Sequence, residues 1–350
     1  MYIGDAVGAA LSFFINDSIG RLWSYRLYTF VWIIGQIVAM FSPGSSGLYA
    51  ARIISGLGIG SLSVTGTVSI VEIAPTEIRG LLTAWYSVCM GIALMAATFC
   101  VYGIELHVGP SRLQYQIVWF SPCIFMFLWM SASFFLCESP RWLILRDRNQ
   151  EAIETLCTLR RLPSDHSRVQ EEIQSIRESL QSETPETEDR SPFQIASIAR
   201  ETFTNPSNLR RLQQALIMYA LPQFSGGNSV TNYFIPILEV AGLAGSSTRN
   251  LFLNGMYTLA KFFFSLSASF LFIDALGRRN SLFFGITLQM ISDIYLAAYI
   301  KVQNENRAPH AASEAGLAAI FIHALGYSVG KSSQVSTAYQ LGSGVHTDHD

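Results

Sequence analysis

Two apolar runs of this chain, residues 1–15 and 256–273, end on the same pattern, Asp-x-x-Gly-Arg. The first supplies Asp17, Gly20 and Arg21; the second supplies Asp274, Gly277 and Arg278, followed by Arg279. Laying residues 7–21 over 264–278 also matches Ser12 with Ser269 and Phe13 with Phe270. A motif recurring at equivalent points of two membrane halves implies an internally repeated transporter, not a channel, receptor or enzyme.

Composition agrees. Half of the 350 residues are hydrophobic and 14% are charged, against roughly 25% charged in soluble domains. The apolar residues are bunched, which makes the chain a polytopic membrane protein. A net charge of −2 offers no argument for a nucleic-acid partner. The five cysteines form no Cys-x-x-Cys and read as small buried hydrophobes. Residues 1–15 carry no basic leader and no small-residue cleavage site, so no signal peptide is read.

About nine spans follow from the apolar runs: 1–15, 27–41, 48–71, 81–106, 116–137, 212–238, 251–273, 281–300 and 314–330. The first is shorter than the ~20 residues that cross a bilayer, so the sequence reads as lacking something upstream. Residues 1–137 form an expected N-terminal bundle, 138–211 a linker rich in Arg, Glu, Ser and Gln, 212–341 a C-terminal bundle, and 342–350 a polar tail. Within the linker, Val169, Ile173, Ile176 and Leu180 recur at helical spacing, with Ser167 and Gln170 placed as a capping box. The acidic stretch 182–191 reads as a flexible connector.

Lys and Arg in the loops set the orientation. Arg21, Arg26, Arg79, Arg278, Arg279 and the linker arginines share one side, which is therefore expected to be cytoplasmic.

Four further signals lie between the repeats. Arg52-x-x-x-Gly56-x-Gly58-x-Gly60 opens the third span and Glu72-x-x-Pro75-x-x-x-Arg79-Gly80 closes it. Glu138-Ser139-Pro140-Arg141-Trp142 follows the fifth, and Gln223-x-Ser225-Gly226-x-Asn228 lies in the sixth. In this order the motifs resemble the sugar porter branch of the major facilitator superfamily, especially its fungal members, over residues 1 to about 330. The resemblance implies an all-α membrane protein with the major facilitator fold. Its spans would be helices two to ten of the family's twelve, truncated at both ends.

What the resemblance implies for the residues has a physical basis. Gly20 and Gly277 permit tight turns. Asp17, Glu72, Glu138 and Asp274 can pair with Arg21, Arg79, Arg141 and Arg278, and in the family such clusters latch the two bundles until the inner gate opens. Gln223 and Asn228 are amides suited to the hydroxyls of a sugar or polyol. They lie too far apart around an ideal helix to share one ligand, so a break at Gly226–Gly227 is expected. Tyr233 and Ser87 complete the family positions. Departures at Pro222, Asn232 and Ser87 give no ground for glucose in particular.

Lys261 and Asp293 fall near mid-membrane, where charge requires a cavity or a partner. A Lys261–Asp293 pair, an anionic substrate such as a quinate-like acid, and snorkelling of Lys261 all remain open. The resemblance implies that Arg52 serves proton coupling with an acid of helix one, a helix this sequence does not show. Uptake coupled to protons by these 350 residues alone is therefore expected to be poor.

The expected activity is transport of a sugar or related polyol by alternating access, with protons as co-substrate. A quinate-like acid carrier, a non-transporting nutrient sensor and an inactive fragment are the alternatives. The expected setting is the plasma membrane. No Ser/His/Asp set, metal spacing or phosphate loop points to an enzyme. The Gly-rich run 56–60 reads as helix packing, and neither cofactor nor metal is expected. His346, Asp348, His349 and Asp350 have no rigid frame to hold an ion.

Overall fold

The computed structural model describes residues 1–42, 44–75, 78–183, 204–224, 227–268, 273–305 and 310–342. Among them the regular structure is helical. The path from Met1 to the linker contains α1 (Tyr2–Ile19), α2 (Arg21–Phe41), α3 (Ser45–Ile73), α4 (Arg79–His107) and α5 (Arg112–Ala132). Short linker helices follow: α6 (Pro140–Leu145), α7 (Asn149–Arg160) and α8 (Ser167–Glu183). The second half contains α9 (Pro206–Phe224), α10 (Gly227–Asn232), α11 (Phe234–Val240), α12 (Ser247–Ser267), α13 (Ile273–Asn304) and α14 (His310–Gly342).

Six of the described helical stretches are long and apolar enough to cross a bilayer: 21–41, 45–73, 88–107, 112–135, 280–303 and 312–330. They coincide with six of the expected spans. Helices α1, α9 to α11 and α12 occupy the other three. Of the expected connector 182–191 and tail 342–350, residues 182–183 end α8 and Gly342 ends α14, and the rest lies outside the described residues.

Burial runs opposite to a soluble protein. In α1 the buried residues are Gly4, Gly8, Ser12 and Asn16, a stripe repeating every four residues. Phe13, Phe14 and Leu11 point outward, as do Phe125, Phe127, Leu128 and Trp129 on α5. Lipid tails are as apolar as Leu, so association relies on close backbone approach and interhelical hydrogen bonds, which favour small and polar residues inside.

The chain separates into two compact units: Met1–Arg79 with Pro110–Asp189, and Gly80–Gly109 with Arg190–Asp350. In the first, α3 packs backbone-to-backbone on α1. A Cβ placed on Gly8 would lie 2.3 Å from the Leu57 carbonyl oxygen, and one on Gly60 would lie 2.0 Å from that of Asp5. Gly58, on the other side of α3, meets Tyr28 and Trp32 of α2. The Gly-rich run is thus a packing device, as its apolar setting implied. Asn16 ties the three helices together by accepting from Tyr28 and Thr65 through Oδ1.

The linker helices form their own apolar cluster of Trp142, Leu143, Ala152, Leu156, Val169 and Ile173, with Ile176 and Leu180 against it. The helical spacing read from the sequence is therefore a buried face. The capping box is a correction. The carbonyl of His166 accepts from Val169 and Gln170, so His166 is the cap, and Gln170 reaches back to the Ser164 carbonyl instead. Arg160 holds Glu172 in a two-pronged pair and donates to the Ile73 carbonyl at the end of α3.

In the second unit, α4 lies along α12, seamed by Tyr102 on Phe252, by Phe99 against Gly255, and by Ser247 donating to Glu105. Residues 81–106, expected in the N-terminal bundle, share this compact unit with Arg190–Asp350. Helices α13 and α14 meet through Gly285, Gly326 and Gly330, where added Cβ atoms on Gly285 or Gly326 would approach backbone to 2.7–2.8 Å. Val230, Phe234, Leu238, Tyr257, Ile320 and Ala324 make the apolar core of this unit.

Candidate functional site

At the α1–α2 turn the first Asp-x-x-Gly-Arg motif becomes a network centred on Arg21. Its guanidinium binds both oxygens of Glu72, at 3.0 and 2.8 Å, and Asp17 at 2.9 Å. The Arg21 and Glu72 side chains are only 10% and 9% exposed, while Asp17 is half exposed. Ser139 donates to Glu72 at 2.6 Å. Glu138 accepts from the backbone N–H groups of Arg21 and Leu22, at 2.9 and 3.1 Å. A carboxylate there satisfies orphan donors at the start of α2 and meets the positive end of its dipole. Trp142 and Arg146 donate to the Asp17 carbonyl, which fastens the start of the linker to the same turn.

Read by motif, Glu72 belongs with Arg79 and Glu138 with Arg141. The geometry brings Glu72 to the Arg21 side chain and Glu138 to its backbone. Sequence order could not show this, because the three motifs meet only after α3 folds back beside α1. The side chains of Arg79, Asp274 and Arg278 lie outside the described residues, and Arg141 is half-buried on α6.

The two glycines of the repeat share one conformation. Gly20 has φ 100° and ψ 165°, and Gly277 has φ 75° and ψ 159°. That region is essentially closed to other residues. At Gly20 a Cβ would also sit 2.8 Å from Glu138 Oε2 and 3.2 Å from the Trp142 ring. Gly20→Ala is therefore expected to destabilise the first unit by about 1–3 kcal/mol, read as a lower melting temperature in detergent; an unchanged melt contradicts it.

Arg52, on α3, is exposed, with its guanidinium 4.7 Å over the Trp119 ring and 3.7 Å from the Met1 sulfur. Asp5, a carboxylate that sequence reading passed over, stands on α1 with Oδ1 buried and without a hydrogen-bond partner. Its place inside a 1–15 apolar run was the signal that could have found it.

In the second unit the side chains of Ser87, Gln223 and Asn228 lie outside the described residues, as does Gly226 of the predicted break at Gly226–Gly227. A helix interruption is described farther on, at Tyr233, which is 61% exposed between α10 and α11. Pro236 falls in the first turn of α11, where its missing N–H costs no helical bond. Lys261 donates to Thr231 Oγ1 at 2.6 Å and lies 4.1 Å over the Tyr327 ring. Asp293 approaches His323, with Nε2 3.8 Å from Oδ1. The sequence-level pairing of Lys261 with Asp293 overlooked His323, an ionisable residue inside the apolar run 314–330.

These features define a helical integral membrane protein whose two Asp-x-x-Gly-Arg turns share one backbone shape and whose polar groups lie inside an apolar shell. The comparisons with known proteins name the family. A family model described as Sugar (and other) transporter matches residues 1–337, and the chain belongs to that family. A probable quinate permease of Aspergillus niger is 31% identical over 91% of this chain, and one of Aspergillus oryzae 30% identical. The quinate permease of Emericella nidulans is 29% identical. The chain spans 59% of the length of the first of these relatives. Among solved structures, the xylose transporter XylE from E. coli in a partially occluded inward-open conformation superposes with a TM-score of 0.76 at 20% identity, over 97% of this chain and 75% of XylE. XylE bound to 6-bromo-6-deoxy-D-glucose superposes with a TM-score of 0.73. The fold is that of the major facilitator superfamily, and the relatives are permeases, not enzymes.

Proposed function

We propose that this protein carries a polyhydroxylated small molecule, a sugar or related polyol, across a membrane by alternating access, with proton coupling in the whole transporter. The carrying observation is membership of the sugar transporter family, joined to polar and charged groups kept inside an apolar helical shell. Groups of that kind are expensive within hydrocarbon and mark solute paths. Gln223, Asn228, Tyr233 and Ser87 are the proposed hydroxyl contacts, and Arg52 the proposed coupling residue. The network of Asp17, Gly20, Arg21, Glu72, Arg79, Glu138 and Arg141, with its counterpart at Asp274, Gly277 and Arg278, is the proposed cytoplasmic gate. The plasma membrane is the proposed site of action.

A second reading, transport of a quinate-like acid, is favoured by Lys261 and by relatives named as quinate permeases. Solute counterflow in proteoliposomes separates the two. Saturable exchange of a labelled neutral sugar or polyol supports the first, and exchange confined to quinate supports the second. Gln223→Ala and Asn228→Ala should each weaken the half-saturating concentration about tenfold, as expected for one lost hydrogen bond worth about 1.4 kcal/mol. Exchange of no solute in the panel would sink the transport reading.

A further inference from the structure

His323 on α14 is 1% exposed, and among the described residues neither of its ring nitrogens has a hydrogen-bond partner. Its Nε2 stands 3.8 Å from Asp293 Oδ1 on α13, within ion-pair reach if the ring is protonated and too long for a hydrogen bond. The imidazole stacks on Tyr327, with centroids 6.5 Å apart and planes at 15°. Over the same Tyr327 ring lies the ammonium of Lys261 from α12, which also donates to Thr231 of α10. The hydroxyl of Tyr257 is wholly buried beside Thr231 without a hydrogen bond of regular geometry. These contacts link four helices into one polar path that runs from Asp293 through His323 and Tyr327 to Lys261 and Thr231.

Leaving a buried donor or acceptor unmade costs about 1–3 kcal/mol, and folded proteins keep few such groups. A solute that supplies the missing partners would recover that cost on binding. The arrangement also says what kind of solute fits. A cation stands at one end, a carboxylate acceptor stands at the other, and an imidazole with donor and acceptor nitrogens lies between them. A solute carboxylate would add an ionic contact to those Lys261 makes with Thr231 and Tyr327, which a neutral sugar would not. A plain aliphatic acid gives His323 and Asp293 no hydroxyls to bond.

We propose that this path is a binding subsite for a polyhydroxylated carboxylic acid, with the solute carboxylate at Lys261 and its hydroxyls at His323 and Asp293. The proposal rests on the polyol reading above and narrows it to a hydroxy acid. Tyr327, wedged between imidazole and ammonium, sets the spacing of the two ends. Opening the path to solute requires His323 to become accessible, while the Asp293 side chain is already 41% exposed.

The test is equilibrium binding to the full 350-residue chain in lipid nanodiscs, followed by tryptophan fluorescence. The probes are quinate, inositol as a neutral cyclic polyol, and cyclohexanecarboxylate as an acid without hydroxyls. The wild type should bind quinate at least about tenfold tighter than the other two, a difference of about 1.4 kcal/mol. Lys261→Gln should abolish the preference of quinate over inositol, and Lys261→Arg should retain it. His323→Phe should weaken quinate and inositol and leave cyclohexanecarboxylate unchanged. Should His323→Phe fail to fold, Asp293→Asn reports on the hydroxyl end, and loss of quinate affinity is again the expected result. Variants that melt like the wild type yet keep its affinities overturn the subsite. A wild type that binds inositol and quinate equally overturns the subsite alone, whereas binding of neither removes the polyol reading with it.

Discussion

Arg21→Ala is expected to destabilise the first unit by about 3–5 kcal/mol, the range for removing one member of a buried ion pair. The loss has a clear origin. Glu72 is 9% exposed and receives both guanidinium bonds, so without Arg21 its buried charge keeps the Ser139 hydroxyl but loses that guanidinium. Asp17 is half exposed and solvated, so Asp17→Asn should cost no more than about 1 kcal/mol. Replacing both buried partners, as Arg21→Met with Glu72→Leu, should recover much of the stability because no buried charge remains unpaired. Thermal unfolding of the purified chain, followed by helical circular dichroism, checks the series. If Arg21→Ala and Asp17→Asn melt together, the network does not hold the turn as described.

Gly60→Val should produce the largest structural defect of any single change considered. A Cβ at Gly60 would lie 2.0 Å from the Asp5 carbonyl oxygen, and the atom it meets is backbone that cannot swing aside. Relief requires α1 and α3 to separate, which breaks the Gly4 and Gly8 contacts with Ile53, Gly56 and Leu57 at once. In lipid no hydrophobic force drives the helices back together. The expected result is loss of the monodisperse peak in size-exclusion chromatography. Gly66→Ala, on the same helix with nothing within 4 Å of its added Cβ, should keep that peak. Equal behaviour of the two variants would show that the α1–α3 seam tolerates separation.

Much of this was readable in advance, and particular residues show why. Lipid imposes one simple demand, so runs such as 48–71 and 281–300 declared themselves as spans, and both coincide with long described helices. Gly20 and Gly277 were legible because a backbone with φ of 100° or 75° excludes side chains, so the residue type announces the turn. The Val169–Ile173 face was legible because helical periodicity survives in a short amphipathic segment. His166 as the cap of α8 was not, since several residues near a helix start can accept its first bonds.

The candidate site was less transparent. Lys261 stood out as a lone charge in an apolar run, yet its neighbours Thr231 and Tyr327 come from other helices with nothing in their spacing to announce it. His323 and Asp5 each sit in an apolar run outside any motif, and nothing in their spacing shows that their polar atoms end up buried.

From its residues alone this chain had to be a repeated helical membrane protein with glycine turns and close-packed glycine seams, since bilayer thickness, backbone hydrogen bonding and steric exclusion act along the sequence. Only the folded arrangement decided that Arg21 reaches Glu72 fifty-one residues away, that residues 80–109 join the second unit, and that His323 lies between Asp293 and Tyr327. Contacts of that kind depend on which helix faces meet, and helix rotation and neighbour choice are set by packing across distant segments.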